Sequence, residues 1–224
     1  MIAFGASDIT KAYVGSTEVS KVYLGSDLVW GGSSPALPYD ARIEYLKGAG
    51  TTTWINTNFI PTQDDLRVII DAENTANGDF IFWGIQGTNP RLNNDWYNRT
   101  RIYFRYRDYN KYFTTTAGRH TFETGQDMKI DGTVKATPTF SSSYTFVGNT
   151  KKIALFGAPN AAEPTAVTYA FTGKIYEFWI YYGDVLQMHL IPVRVGTTGY
   201  MYDTVSGVLL GNSGSGNFTL GSDV

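Results

Sequence analysis

The sequence predicts an all-β fold, a two-sheet sandwich or jelly roll, preceded by a small β module. Short apolar runs separated by turn residues recur from Tyr39 onward, and no amphipathic helical run longer than two turns lies between them. Aromatic residues make up 15% of the 224 residues, and there are 24 glycines, a composition that suits strands joined by many turns. We therefore expect one main domain over residues 39–224.

The first predicted element is an N-terminal module over residues 1–30. TKAYVGSTEV and SKVYLGSDLV, residues 10–29, repeat one phrase with Gly-Ser in register. Alternating apolar residues with a glycine turn predict a small β-meander. A sheet this small is marginal in water, so we expect an assembly anchor that packs on a partner through Tyr13, Tyr23 and Trp30.

The second element is a linker over residues 31–38. Its sequence GGSSPALP holds two glycines, two serines and two prolines and no charge. This composition is typical of a connector that is flexible first and stiffer near the prolines.

Composition also limits the function classes. The net charge of −2 gives no basic face for a nucleic-acid partner, and the absence of cysteine excludes disulfides and thiol chemistry. The opening MIAFGASDIT has neither the basic start nor the apolar length of an export signal. We expect synthesis in a cytoplasm and no membrane insertion.

A strand over residues 100–107 carries the main candidate site. Alternation places Arg101, Tyr103, Arg105 and Arg107 on one face, while Ile102, Phe104 and Tyr106 face the core. Arginine on a strand suits acidic or planar polar groups, such as a sugar acid, a sulfated or phosphorylated glycan, or an acidic protein. The alternative is a solvated strand whose cations pair with neighbouring acids.

Trp96 and Tyr97 come just before this strand. We interpret them as a stacking platform at a loop tip, because aromatic rings cover the C–H faces of sugars. An aromatic pair that closes the sandwich edge is the alternative. Trp54, Trp83 and Trp179 lie within apolar runs and are predicted to be core.

The sequence gives little support for an enzyme or a metal site. Asp71 and Glu73 share a strand face, but Ile69 stands where a third acid would complete a glucanase pattern. We predict no catalytic residues, no metal and no cofactor. His120 and His189 are expected to be ordinary strand residues.

Calcium is the one cofactor left open. We predict that the segment GTNPRLNND is a loop, in which Asn93, Asn94 and Asp95 would supply the oxygen ligands that calcium prefers.

Three segments resemble the concanavalin A-like (laminin-G-like, pentraxin-like) domains. IEYLKGAGTTTWINTNFIPTQDDLRVIIDAE is similar to their opening strands, and KKIALFGAP and FTGKIYEFWIYYGDVL are similar to a later strand pair. The ending LIPVRVGTTGYMYDTVSGVLLGNSGSGNFTLGSDV resembles a tail common in proteins of gut bacteria and their phages. The resemblance covers about 39–221 and implies a concanavalin A-like jelly roll.

The repeat module resembles the N-terminal pieces of fibre and adhesin proteins from gut bacteriophages, through phrases such as KVYLGSDLVW. This implies a non-enzymatic virion structural protein, a head fibre, decoration or tail-fibre adhesin. The anchor would bind capsid or tail proteins, the jelly roll would bind cell-surface or mucus glycans, and the chain would form a homo-oligomer, a trimer. The alternatives are a surface lectin or adhesin of a gut bacterium and a glycoside hydrolase of the same fold.

Overall fold

The computed structural model describes residues 37–86 and 91–224 in full, and the backbone of residues 12–14, 17–19, 21–24 and 27–31. The chain divides into two compact units, Met1–Pro38 and Tyr39–Val224. Each unit is a separate cluster of contacts.

The N-terminal unit contains two antiparallel hairpins, one for each copy of the repeat. Its strands are β1 (Ala12–Val14), β2 (Thr17–Val19), β3 (Lys21–Leu24) and β4 (Asp27–Gly31). Val14 pairs with Thr17 in the first hairpin, and Leu24 pairs with Asp27 in the second. The structure does not describe the side chains of Tyr13, Tyr23 and Trp30. Residues 32–36 of the predicted linker also lie outside the described residues.

The second unit is built from strands throughout. These are β5 (Ala41–Arg42), β6 (Leu46–Lys47), β7 (Ile55–Asn56), β8 (Leu66–Glu73), β9 (Asp79–Ile85), β10 (Arg91–Tyr97), β11 (Arg101–Arg107), β12 (Tyr109–Thr114), β13 (Arg119–Thr124), β14 (Met128–Ile130), β15 (Thr133–Ala136), β16 (Ala154–Leu155), β17 (Lys174–Tyr182), β18 (Val185–Val195), β19 (Thr198–Asp203), β20 (Leu209–Leu210) and β21 (Thr219–Leu220).

These strands form two antiparallel sheets. The six-stranded sheet has the order β12-β11-β10-β9-β16-β7. The eleven-stranded sheet runs β15-β14-β13-β8-β17-β18-β19-β20, with β5 paired to β18 and β6 paired to β17 and β21. The predicted all-β sandwich is confirmed. In the described part of the chain, no helix has the length and apolar character needed to cross a bilayer.

Aromatic side chains fill the space between the sheets. Phe82 on β9 packs against Phe122 on β13 with ring centroids 5.4 Å apart, and Trp83 packs against Phe178 on β17 at 5.8 Å. All four side chains are fully buried. Burial of rings this large is the main stabilising contribution to the sandwich. The predictions that Trp54 and Trp83 are core residues are confirmed.

Strand β17 is interrupted by a β-bulge. KIYEFWIYY breaks period-two alternation, and the pairing of β17 with β8 shifts register between Ile175 and Glu177. Beyond this bulge Phe178 and Ile180 are buried. Trp179 therefore faces outward and stacks on His189 at 5.1 Å, so its predicted place in the core is wrong.

The two ends of the sandwich unit meet at one place. Strand β21 pairs with β6, and Ile43 forms a bridge with Asp223. The backbone N–H of Val224 donates to the carbonyl oxygen of Arg42 at 3.1 Å. The last residues thus close the sheet beside the first ones.

Candidate ligand-binding site

Strand β11 confirms most of the predicted alternation. Its inward residues are Ile102, Phe104 and Tyr106, and all are fully buried. Arg101, Tyr103 and Arg105 point to the outer face of the six-stranded sheet and keep solvent contact. Period two therefore separates core from surface over most of this strand.

Arg107 departs from this pattern, and its predicted place on the outer face is wrong. Its φ of 57° turns the backbone at the end of β11, and the residue is 8% exposed. The guanidinium donates to the carbonyl oxygens of Tyr144 and of Ser141, the latter at 2.9 Å, and lies 3.7 Å from the Asp64 carboxylate. Arg107 holds a loop in place and is not free for a ligand.

The predicted aromatic pair at a loop tip separates into two different environments. Trp96 lies within β10 with its indole fully buried, packed on Phe82 at 5.7 Å and on Phe122 at 5.0 Å. The prediction that Trp96 is a stacking platform is therefore wrong. Tyr97 is 38% exposed at the end of β10, and its availability for stacking stays a prediction.

An open polar cavity of about 470 Å³ lies on the outer face of the six-stranded sheet. We refer to it as the β9–β11 cavity. It is lined by Asp79, Gln86, Arg91, Asn93, Asp95, Arg105, Lys151, Asn160 and Tyr169. Of the six predicted ligand-binding residues, Arg105 is the one that lines it.

An ion pair forms the floor of the cavity. Register places Asn93 opposite Arg105 and Asp95 opposite Tyr103, so all four side chains share the outer face. Asp95 pairs with Arg105 and is only 2% exposed. The Asp95 Oδ1 atom is buried and has no hydrogen-bond partner among the described residues. One side of this carboxyl group is thus left unsatisfied at the bottom of the cavity.

Burial raises the pKa of Asp95 to about 7. The nearby charge of Asp79 adds to the rise, and Arg105 opposes it without reversing it. A carboxyl group with this pKa exchanges its proton near neutral pH, which is a common property of functional sites.

Lys151 carries a positive charge at another part of the cavity wall. Its ammonium donates to the carbonyl oxygen of Gln86 at 2.8 Å and to the Asn160 Oδ1 at 3.4 Å. Both acceptors are neutral. In the part of the chain that the structure describes, no carboxylate lies within ion-pairing distance of Lys151 or of Arg91.

The remaining predicted residues form a ridge of stacked groups beside the cavity. The Arg101 guanidinium lies over the ring of Tyr112 at 5.2 Å, and Tyr103 packs against the same ring at 5.4 Å. Arg105 lies 5.5 Å from the Tyr103 ring. These contacts join the predicted arginine strand to the cavity through Arg105.

The loop predicted to bind calcium is strand β10. Asn93 and Asp95 face outward, whereas Asn94 faces the core and accepts hydrogen bonds from Trp83 Nε1 and Thr124 Oγ1, each at 2.8 Å. The three side chains point to opposite sides of a sheet and do not form one set of ligands. Calcium binding by this protein stays a prediction. No cluster of three or more histidine or acidic side chains suited to a metal occurs within residues 37–86 and 91–224.

Asp71 and Glu73 lie on the outer face of the other sheet. Arg119 binds Asp71 through two hydrogen bonds of 2.8 and 2.7 Å. Burial disfavours the charge of Glu73, but hydrogen bonds from Lys174 and Tyr176 outweigh it and lower the pKa of this carboxyl group. Both acids are paired with cations and neither lines the β9–β11 cavity.

Sequence reasoning missed most of the cavity lining. Asp79 is on β9, while Lys151, Asn160 and Tyr169 come from segments on either side of β16. Only the fold brings them together, and no motif or spacing relates them. Asn93 and Asp95 were noticed, but for a metal rather than for this cavity.

The chain matches no protein-family model, and no curated protein matches it either. The chemistry of the residues that line the cavity therefore carries the functional proposal.

Proposed function

We propose that this protein is a non-enzymatic virion structural protein of a bacteriophage, whose concanavalin A-like jelly roll binds glycans in the β9–β11 cavity. The observation that carries the glycan proposal is the cavity itself, which is open, polar and lined by carboxyl, amide, cationic and tyrosine side chains. The resemblance of the repeat module to phage fibre anchors supports the assembly role.

The cavity suits a sugar in size and chemistry. Its volume of about 470 Å³ lies within the usual range for small-ligand sites. Amide and carboxyl groups such as Asn93, Asn160 and Asp95 offer the donors and acceptors that hydroxyl groups need. Tyr169, 54% exposed at the rim, offers an aromatic face.

A panel of cell-surface and mucus glycans tests this function, with affinities measured by titration of the full chain. We expect Tyr169→Ala to weaken binding about fivefold or more, because a stacking surface is removed without disturbing the core. Tyr181→Ala on the outer face of the other sheet, where Tyr181 packs under Arg67, is the matched control. No binding to any glycan would contradict the proposal.

One observation favours glycoside hydrolysis as a second candidate. Asp79 on β9 lies opposite Tyr97 on β10, and Tyr97 is two residues from Asp95. The carboxyl groups of Asp79 and Asp95 therefore lie near each other on one face of the sheet. The pKa of Asp95, about 7, suits a general acid, and Asp79 would be the second acidic residue. Release of new reducing ends from a bound glycan, lost in Asp95→Asn, would favour this candidate over simple binding.

A further inference from the structure

The β9–β11 cavity has an excess of positive charge. Arg105 and Asp95 pair with each other, and their charges cancel when Asp95 is ionised. Of the other charged groups in the lining, Arg91 and Lys151 are cations and Asp79 is an anion. Lys151 is bound only to neutral oxygens among the described residues, so its charge is not neutralised by the protein. The cavity therefore favours a ligand with one negative charge.

The same cavity contains two buried acceptors without donors. Asp95 Oδ1 and Gln86 Oε1 both belong to the lining, and neither has a hydrogen-bond partner among the described residues. Leaving a buried acceptor unpaired is costly, so a bound molecule that donates hydrogen bonds to both atoms would be favoured. Hydroxyl groups are suitable donors because each can rotate to meet its acceptor.

A chain of contacts connects the cationic part of the cavity with the acceptors. Lys151 binds the backbone of Gln86, and Asn93 Nδ2 donates to the carbonyl oxygen of the preceding Ile85 at 3.4 Å. Asn93 Oδ1 in turn lies 3.5 Å from Arg105 Nη1, and Arg105 pairs with Asp95. The Lys151 ammonium and the two acceptors without donors are therefore parts of one continuous site.

We propose that this site binds a uronic-acid-type unit of an acidic glycan, that is, a hexose carrying one carboxylate. The inference rests on the proposed glycan-binding function and adds the chemical class of the ligand. The carboxylate binds Lys151 and Arg91, while ring hydroxyls donate to Asp95 Oδ1 and Gln86 Oε1. A single carboxylate matches the excess charge, whereas a phosphate dianion exceeds it.

The test compares uronic-acid oligosaccharides with their carboxyl-reduced counterparts, which differ only in a primary alcohol for each carboxylate. We expect the full chain to bind the acidic member of a pair at least about tenfold more tightly, because a charge-assisted contact is lost on reduction. Lys151→Met and Arg91→Gln each reduce this ratio, and the affinity for acidic members falls with added salt. Lys129→Met, which removes a cation on the other sheet, leaves the ratio unchanged.

The outcomes separate this inference from the function on which it rests. Equal affinity for the two members of each pair, or binding of neutral or sulfated glycans alone, overturns the uronic-acid assignment and leaves glycan binding intact. Failure to bind any glycan overturns both. Lys151 also binds the Gln86 backbone, so Lys151→Met could fold poorly. In that case the affinity ratio of Arg91→Gln tests the inference.

Discussion

Among single residues, Asp95 has an environment that affects both stability and the proposed binding. Its carboxyl group is buried beside Arg105, yet its pKa is raised to about 7 from an ordinary value of 3.8. The folded protein therefore binds a proton between those two pH values that the unfolded chain releases. By linkage, this group makes the free energy of unfolding fall as the pH rises from about 4 to 7.

Asp95→Asn should remove that fall. We expect the variant to gain stability relative to the parent protein as the pH rises from 4 to 7, with a constant difference above 7. Each unit of pKa rise corresponds to about 1.4 kcal/mol. Denaturant unfolding at several pH values measures the effect, and Asp184→Asn, at a fully exposed carboxylate between β17 and β18, is the control. Parallel stability curves for parent and Asp95→Asn would show that the pKa is not raised.

Asn94 is a buried polar residue with a structural role. It accepts hydrogen bonds from Trp83 Nε1 and Thr124 Oγ1 between the two sheets. Asn94→Ala leaves both donors unpaired, and we expect the free energy of unfolding to fall by about 2–4 kcal/mol. Asn110→Ala on the exposed strand β12 should change it by less than about 0.5 kcal/mol. Similar losses in the two variants would contradict this role.

At the scale of elements, a glycine in β9 allows β10 to approach closely. A Cβ atom on Gly84 would lie 2.3 Å from the Leu92 carbonyl oxygen and 2.4 Å from the Asn93 Cβ. Gly118 also has a positive φ, 125° against 143° for Gly84, but nothing lies within 4 Å of its Cβ position. A residue with a side chain would have a strained φ at either position, but only at Gly84 would its Cβ atom collide with neighbouring atoms.

Gly84→Ala should therefore destabilise the protein by about 2 kcal/mol or more beyond Gly118→Ala, because only the first substitution causes a collision. Thermal or denaturant unfolding of the pair isolates the cost of that collision. Equal losses would mean that φ strain alone sets the cost. Since Asn93 lines the cavity, Gly84→Ala should also weaken the proposed glycan binding.

The strands also show how far sequence reasoning reaches. Alternation predicted the two faces of β11 up to Tyr106, because they depend on the local hydrophobic pattern. The position of Trp96 was wrongly predicted because Asn94 is a polar residue in the core. It breaks the alternation of apolar and polar residues by which β10 would be predicted as a strand. Arg107 was misplaced because its left-handed φ reverses its direction. The cavity combines residues distant in sequence, which no local pattern relates.

At the scale of the whole molecule, the chain has two compact units, Met1–Pro38 and Tyr39–Val224. The extensive aromatic core lies in the second unit, so we expect residues 39–224 to fold alone. Deletion of residues 1–38 should leave the thermal midpoint nearly unchanged. Loss of cooperative unfolding in the shortened chain would contradict this expectation.

The same deletion tests the anchor. Light scattering of the full and shortened chains gives their masses in solution. If the N-terminal hairpins assemble a trimer, the full chain has three times the monomer mass and the shortened chain has the monomer mass. Equal oligomeric states for both chains would contradict self-assembly through this unit.

The hydrogen bond between Val224 and Arg42 suggests that the sandwich would tolerate circular permutation. Since the two ends of the sandwich are neighbours in one sheet, a short peptide could join them and new ends could be opened at an exposed turn such as that before Arg119. For the same reason the sandwich could be inserted as a whole domain into a loop of another protein. Its two ends are close together, so the residues on either side of the insertion would stay near each other.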